Sequence, residues 1–235
     1  MLLSTRGLVR AFGGIKAVAG IDLDVPGGEV HALIGPNGAG KTTLVSLLCG
    51  RLRPDAGTIH FEGRDITRLP AEARVRAGIA YTFQITAIYP RLTVFDNVAL
   101  AVQRSGARPL DPAVFAALAR VGLEERAAAF AGTLAYGHQR LLEIAMGLAL
   151  RPKLLILDEP TQGLAAGEIT AFEALVREIA TTATVLLIEH DMDVVMELAD
   201  RITVLDAGRV LATGAPAEIR ADPDVQAAYL GPPPA

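Results

Sequence analysis

The sequence predicts an α/β fold with a parallel-sheet core, an antiparallel β-layer near the N-terminus, and a helical lobe inserted into the core. Three observations predict it. Two very apolar runs, Leu154 to Leu157 and Thr184 to Ile188, flank a helix-like Gly167 to Ala180, the βαβ pattern of parallel strands buried on both faces. Residues Thr93 to Leu150 show helical periodicity and hardly any strand signal. The run GPNGAGKTT, Gly35 to Thr43, stands between a strand-like stretch (Val30, Ala32, Leu33, Ile34) and a helix-like one (Leu44, Val45, Leu47, Leu48).

In chain order, Leu2 to Arg10, Ala17 to Val25 and Thr58 to Phe61 alternate like strands and form the antiparallel layer, wrapped around the strand that precedes Gly35. Tyr81 to Gln84 ends another short β-like segment. In the helix that closes the middle region, Leu141, Ile144, Ala145 and Leu148 share one face. Ile202 to Leu205 and Arg209 to Ala212 make a hairpin across an Asp-Ala-Gly turn, and the Pro-rich end Gly231 to Ala235 is expected to fray. The chain divides into a core, 1–87 and 151–235, and a lobe, 88–150, within a single domain over 1–235. No motif occurs twice.

Composition narrows the class. A hydrophobic fraction of 51% against 20% charged residues excludes a disordered chain. The net charge of −4, with no block of basic residues, speaks against nucleic acid as the partner. No apolar stretch approaches the ~18 residues of a membrane helix. The most apolar helical segment, Leu141 to Leu150, is short and carries Glu143. Arg6 and Arg10 interrupt any signal-peptide pattern, so a cytoplasmic location is expected. The single Cys49 cannot form an internal disulfide and reads as a small core residue.

The Gly-rich run carries the chemistry of a P-loop. Gly35, Gly38 and Gly40 let the backbone, with Pro36, Asn37 and Ala39, curl its N–H groups around an anion. The helix that opens near Lys41 turns its positive end to the same place, and Lys41 can reach β- and γ-phosphates. Thr42 offers a hydroxyl to Mg²⁺, and Thr43 falls near the α-phosphate. Downstream, the strand Leu154 to Leu157 ends in Asp158 and Glu159, where ligands bind in α/β sheets. Asp158 is placed to hold the Mg²⁺ shell and Glu159 to deprotonate an attacking water. The strand ending at Ile188 delivers Glu189-His190-Asp191 to the same end.

The string Leu134-Ala135-Tyr136-Gly137-His138-Gln139-Arg140, before an amphipathic helix, completes a set of motifs. Together they resemble the ATP-binding-cassette (ABC) ATPases over essentially the whole chain, in the order P-loop, glutamine loop, signature, Asp-Glu strand end, switch histidine. Arg10 to Gly14, Tyr81 to Gln84, Leu134 to Arg140, Ile188 to Met192 and the ending Asp222 to Gly231 are similar to the ATPases of branched-chain amino acid importers. The resemblance implies a P-loop NTPase of ABC architecture that hydrolyses ATP with Mg²⁺. It implies that Phe12 stacks on adenine, that Gln84 contacts phosphate and Mg²⁺ and senses a membrane partner, and that His190 holds the γ-phosphate. It further implies that Leu134 to His138 close over ATP bound to a second ATPase subunit, identical or a paralogue. Two transmembrane permeases and an extracytoplasmic substrate-binding protein complete such a system, with the ATPase peripheral on the inner face of the membrane.

Two residues depart from the family pattern. Ala135 stands where a serine is usual, removing a hydroxyl whose bond to a charged phosphate is worth roughly 1.5–3 kcal/mol. His138 is the candidate to compensate. Ala165 stands where Asp or Asn usually follows Gln162-Gly163-Leu164, so a polar contact across the dimer is lost. Two other readings stay open: the same ATPase serving urea, amide or lipid transport, or a soluble ATPase that remodels a complex, as in iron–sulfur assembly or DNA repair.

Overall fold

The computed structural model describes residues 1–82 and 87–230. Gln84 and the tail from Gly231 lie outside the described residues. The chain begins with β1 (Leu3–Phe12), β2 (Ile15–Val25), β3 (Val30–Ile34), α1 (Lys41–Leu48), β4 (Ala56–Phe61), β5 (Arg64–Asp65), α2 (Ala71–Ala77) and β6 (Ile79–Thr82). The middle carries α3 (Val94–Ser105), α4 (Leu110–Arg120) and α5 (Tyr136–Ala149). The C-terminal part adds β7 (Leu154–Asp158), α6 (Ala166–Ala180), β8 (Thr184–Ile188), α7 (Met192–Leu198), β9 (Arg201–Asp206), β10 (Arg209–Gly214), α8 (Pro216–Ala221) and α9 (Pro223–Leu230).

The main sheet has the order β10-β9-β3-β8-β7-β6, with only β10 antiparallel to its neighbour. Every residue of β3, β7 and β8 is buried, which explains their apolar runs: both faces are covered. The period of two separates the faces. Leu33, Leu154, Ile156, Leu186 and Ile188 pack toward α1, while Leu155, Leu157, Val185 and Leu187 pack toward α5 and α6. A third apolar cluster joins Ala32 and Ile34 to Val195 of α7, Ile219 of α8 and Val225 of α9.

The antiparallel sheet, β2-β1-β4-β5, lies on the far side of α1, so that helix is enclosed between two sheets. The layer therefore covers the helix after the P-loop, instead of wrapping the P-loop strand itself. Helices α3 to α5 form a lobe inside the crossover from β6 to its parallel neighbour β7. The lobe does not own a separate core, since one apolar cluster runs from Val94, Val98 and Leu118 through Ile144 to Leu155 and Leu187. Thr93 caps α3 by accepting the Asp96 amide at 3.0 Å, and buried Asn97 bonds Tyr89 N and O, fixing the entry to the lobe. Among the described residues no helix is long and apolar enough to cross a membrane.

Helix α2, which hydrophobic periodicity does not reveal, exists for a polar reason. Its Arg74 is 1% exposed, and no carboxylate among the described residues is bonded to it. Instead its guanidinium donates to Leu47 O and Leu48 O at the end of α1 and to Thr67 O and Leu69 O. It thus supplies a donor to Leu48 O at the C-terminus of α1 and a second one to Leu47 O, which also accepts the Gly50 amide at 3.2 Å. Arg74→Leu keeps the bulk but takes the donor from Leu48 O, Thr67 O and Leu69 O and one of two donors from Leu47 O, so a loss of about 3 kcal/mol in unfolding free energy is expected. Urea titration followed by circular dichroism checks this; a loss below about 1 kcal/mol would mean the carbonyls find other donors.

Candidate functional site

Sheet order brings the site together. Ile188 of β8 is level with Leu33 on one side and with Asp158 on the other. The loops that follow β3, β7 and β8 therefore leave the sheet side by side at its C-terminal end. They carry Gly35 to Lys41, Asp158-Glu159 and Glu189-His190.

The loop after β3 is shaped by what crowds it. Gly35 has φ 151° and Gly40 φ 101°. A Cβ at Gly35 would stand 2.2 Å from Leu205 O, and one at Gly40 would stand 2.2 Å from Ala17 O. Neither position admits a side chain. The β9–β10 turn braces the loop: Gly208 donates to Ala39 O at 3.0 Å and accepts from Ala19 N at 2.8 Å. Helix α1 starts at Lys41, whose half-buried Nζ donates to Gly35 O at 2.5 Å and Pro36 O at 3.2 Å. Burial lowers the Lys41 pKa, opposed by the charges of Glu159 and Asp158. Thr42 and Thr43 occupy the first turn of α1, and Pro36 and Asn37 form the outer bend of the loop.

The two acids differ in setting. Asp158 is 3% exposed, and Tyr81 of the neighbouring strand donates its hydroxyl to Oδ2 at 2.7 Å. Burial raises the Asp158 pKa, partly offset by that hydrogen bond, and burial also pushes the Tyr81 phenol above the ordinary tyrosine range. Glu159 has a left-handed backbone, φ 47°, uncommon for a residue with a side chain. Its main chain is held on both sides, with N–H donating to Ile188 O at 2.8 Å and C=O accepting Arg140 Nη2 at 3.0 Å. Its carboxylate Oε1 lies 4.0 Å from His190 Nδ1. The His190 side chain is 62% exposed.

Phe12 ends β1 opposite Ile15, 45% exposed, with the Arg10 guanidinium 4.9 Å from its ring centroid. An exposed aromatic ring at the β1–β2 hairpin tip is available for stacking. The segment Leu134 to His138 forms the start of α5: Leu134 and Gly137 are buried, His138 is half-buried, and Ala135 and Tyr136 face outward. Ala135 sits at the N-cap without a side-chain cap. A Cβ at Gly137 would meet Glu168 Oε1 of α6 at 2.3 Å, and one at Gly163 would meet the Tyr136 ring at 3.0 Å. The signature segment and the Gln162–Ala165 loop of the same chain are thus packed against each other. Within α6, Glu168 accepts the Ala165 amide at 2.8 Å, which caps the helix that Ala165 cannot.

Partners that sequence reading does not reveal complete the arrangement. Tyr81 is linked to Asp158 across 77 positions, and Arg140 to the backbone of Glu159 across 19. Arg140 is also paired with Glu143 at 3.1 Å, both buried, and Glu143 accepts the Ala87 amide at 3.4 Å. The i, i+3 spacing of Arg140 and Glu143 is a legible signal; the reach to Glu159 is not.

A P-loop with a strand-end Asp-Glu pair, a histidine within reach, and an inserted helical lobe whose last helix opens at a buried glycine and reaches the Glu159 backbone through Arg140 defines an ABC-type ATPase. The model of the ABC transporter family matches residues 18–162, and that of the branched-chain amino acid ATP-binding cassette transporter matches 209–231. The chain belongs to the ABC transporter ATP-binding family. It is 40% identical to the high-affinity branched-chain amino acid transport ATP-binding protein LivG of Salmonella typhimurium, over 98% of both chains. It has the same identity and coverage with the corresponding BraF of Pseudomonas aeruginosa. Among solved structures, the ADP conformation of MJ1267, an ATP-binding cassette of an ABC transporter, superposes with TM-score 0.88 at 31% identity, covering 98% of this chain and 99% of that one. The cbiO1 protein of Clostridium perfringens, part of the cbiONQ transporter, gives 0.84 at 30% identity, covering 95% and 92%. The chain is an ATP-binding and ATP-hydrolysing subunit of an ABC transporter, and closely resembles the LivG type. That architecture works with a paired ATPase and transmembrane permeases.

Proposed function

We propose that the chain powers import of branched-chain or related amino acids, docking on two separate permeases at the cytoplasmic face of the membrane and receiving cargo from an extracytoplasmic binding protein. The observation that carries the ATPase part is the convergence of Lys41, Asp158, Glu159 and His190 at one end of the sheet, with Glu159 and His190 at 4.0 Å. The cargo rests on relatives: LivG and BraF are both branched-chain amino acid transport proteins, and a branched-chain cassette model matches the C-terminal segment.

In this reading residues 1–87 and 151–235 form the nucleotide-binding core and 88–150 the lobe. The amides of Gly35 to Thr43 and the Lys41 ammonium hold the β- and γ-phosphates, with Lys41 exchanging its loop carbonyls for phosphate oxygens. Thr42, Asp158 and Gln84 are all hard oxygen donors and suit Mg²⁺, which would neutralise charge on the phosphates. Burial of Asp158 beside a hydroxyl donor fits a carboxylate meant for a cation. Phe12 stacks on adenine. The Glu159 carboxylate takes a proton from water as its oxygen attacks the γ-phosphorus and the bond to ADP breaks, while His190 steadies the γ-phosphate. Leu134, Ala135, Tyr136, Gly137 and His138 serve the ATP of the second subunit, which is this chain or a paralogue.

The test is reconstitution of the chain with its two permeases and binding protein in liposomes. Leucine, isoleucine or valine should stimulate ATP hydrolysis and accumulate inside. Stimulation by urea or a short amide but not by leucine would overturn the cargo.

A further inference from the structure

Two loops leave the sheet together after β7 and β8, and one carboxylate joins them. Glu189 is 1% exposed. Its Oε1 accepts the Thr161 amide at 3.1 Å and also the Thr161 hydroxyl. Its Oε2 accepts the amides of His190 at 2.8 Å and Asp191 at 3.3 Å. Donors thus meet both oxygens, and only an acceptor with two oxygens at this reach can serve both loops. A hydroxyl side chain at 189 would serve at most one of them. The two loops carry the groups that must cooperate. Thr161 follows Glu159 by two residues, and His190 Nδ1 lies 3.7 Å from Glu189 Oε2 and 4.0 Å from Glu159 Oε1. Thr161 also leads into the Gln162–Ala165 loop, whose Gly163 lies against Tyr136 at the start of α5.

We propose that Glu189 is a positioning residue for ATP hydrolysis: its carboxylate fastens the His190 loop to the segment after Glu159, so that base, histidine and the Gln162–Ala165 loop shift as one body. The inference rests on the roles given above to Glu159 and His190. The loop after β3 and Lys41 provide most of the phosphate contacts, so losing the tie should impair turnover and largely spare ATP affinity.

Glu189→Gln keeps the size but turns an amide NH₂ toward donors on one side. Thr161→Val removes only the hydroxyl and keeps the amide. Both variants and the double variant are compared in the assembled transporter for ATPase kinetics, and as the full chain for ATP affinity and thermal unfolding. Glu189→Gln is expected to lower kcat about tenfold or more, by misplacing reacting groups, with ATP affinity changed less than about twofold. Thr161→Val should lower kcat with affinity kept, and should add little on top of Glu189→Gln because both cut one link. Unchanged kcat, a parallel fall of kcat and affinity, or additive effects of the two changes would each overturn the proposal. If Glu189→Gln does not fold, Thr161→Val alone decides, and unchanged kcat refutes the tie. Glu159→Gln and His190→Ala run alongside. If they turn over normally, the underlying reading of the site fails; if they are inactive while Glu189→Gln is normal, only the tie fails.

Discussion

The Lys41→Ala protein is expected to bind ATP at least about a hundredfold more weakly than the native chain. That magnitude follows from two charge-assisted hydrogen bonds at roughly 1.5–3 kcal/mol each, where about 1.4 kcal/mol is a tenfold change. Geometry gives no substitute. Nζ is half-buried at the mouth of the loop, bonded to Gly35 O and Pro36 O, and the charges of Glu159 and Asp158 bear on it. Alanine leaves the loop backbone intact, because the shape of that loop depends on Gly35, Gly40 and the Gly208 turn. Isothermal titration with ATP and Mg²⁺ reads the affinity, and thermal unfolding verifies that the fold survives. Affinity within about threefold of native would remove Lys41 from the phosphate site.

Glu159→Gln should lower kcat by about a thousandfold, in the range that a positioned general base contributes, while ATP affinity is kept or improved. The N–H to Ile188 O and the C=O to Arg140 are main-chain bonds of residue 159, so they survive a change of its side chain. Removing a negative charge near the phosphates can only help an anion bind. A protein that binds ATP, closes and cannot hydrolyse should accumulate as a dimer with ATP between each P-loop and the other subunit's Gly137. Size-exclusion chromatography with ATP and Mg²⁺, with and without the paralogous partner, shows it. Turnover near the native rate would take Glu159 out of the mechanism, and arrested turnover without a dimer would argue against shared sites.

Much of this site is legible in the amino-acid sequence. The P-loop is contiguous, and its neighbours announce a strand and a helix by composition alone. β7 and β8 are legible because both their faces are covered, which leaves no room for polar residues until the strand ends. Asp158, Glu159 and His190 stand at those ends, so their order along the chain already points to one place. Less is legible where stability comes from polar contacts across long separations. Helix α2 is anchored by Arg74 on carbonyls of α1, about which periodicity is silent. The short β5, α7, α8 and α9 escape sequence reading because a few residues carry too little pattern to stand out. The N-terminal layer is visible in its alternating residues, but its place over α1 is not.

The sequence by itself determined the fold class, the phosphate loop, the identity of the acids and histidine, and the ABC family, because each is encoded in a local run whose chemistry or period is self-sufficient. The tertiary structure alone decided how those runs meet. The order β9-β3-β8-β7-β6 sets Leu33, Ile188 and Asp158 level. The left-handed turn at Glu159 is held by Arg140 from the lobe. Tyr81 reaches Asp158, and Glu189 reaches Thr161, from strands that are distant in the chain. A hydrophobic period specifies which face of a strand is buried and leaves open which strand lies beside it. Neighbour choice, and with it every cross-strand hydrogen bond in the site, is settled by non-local packing.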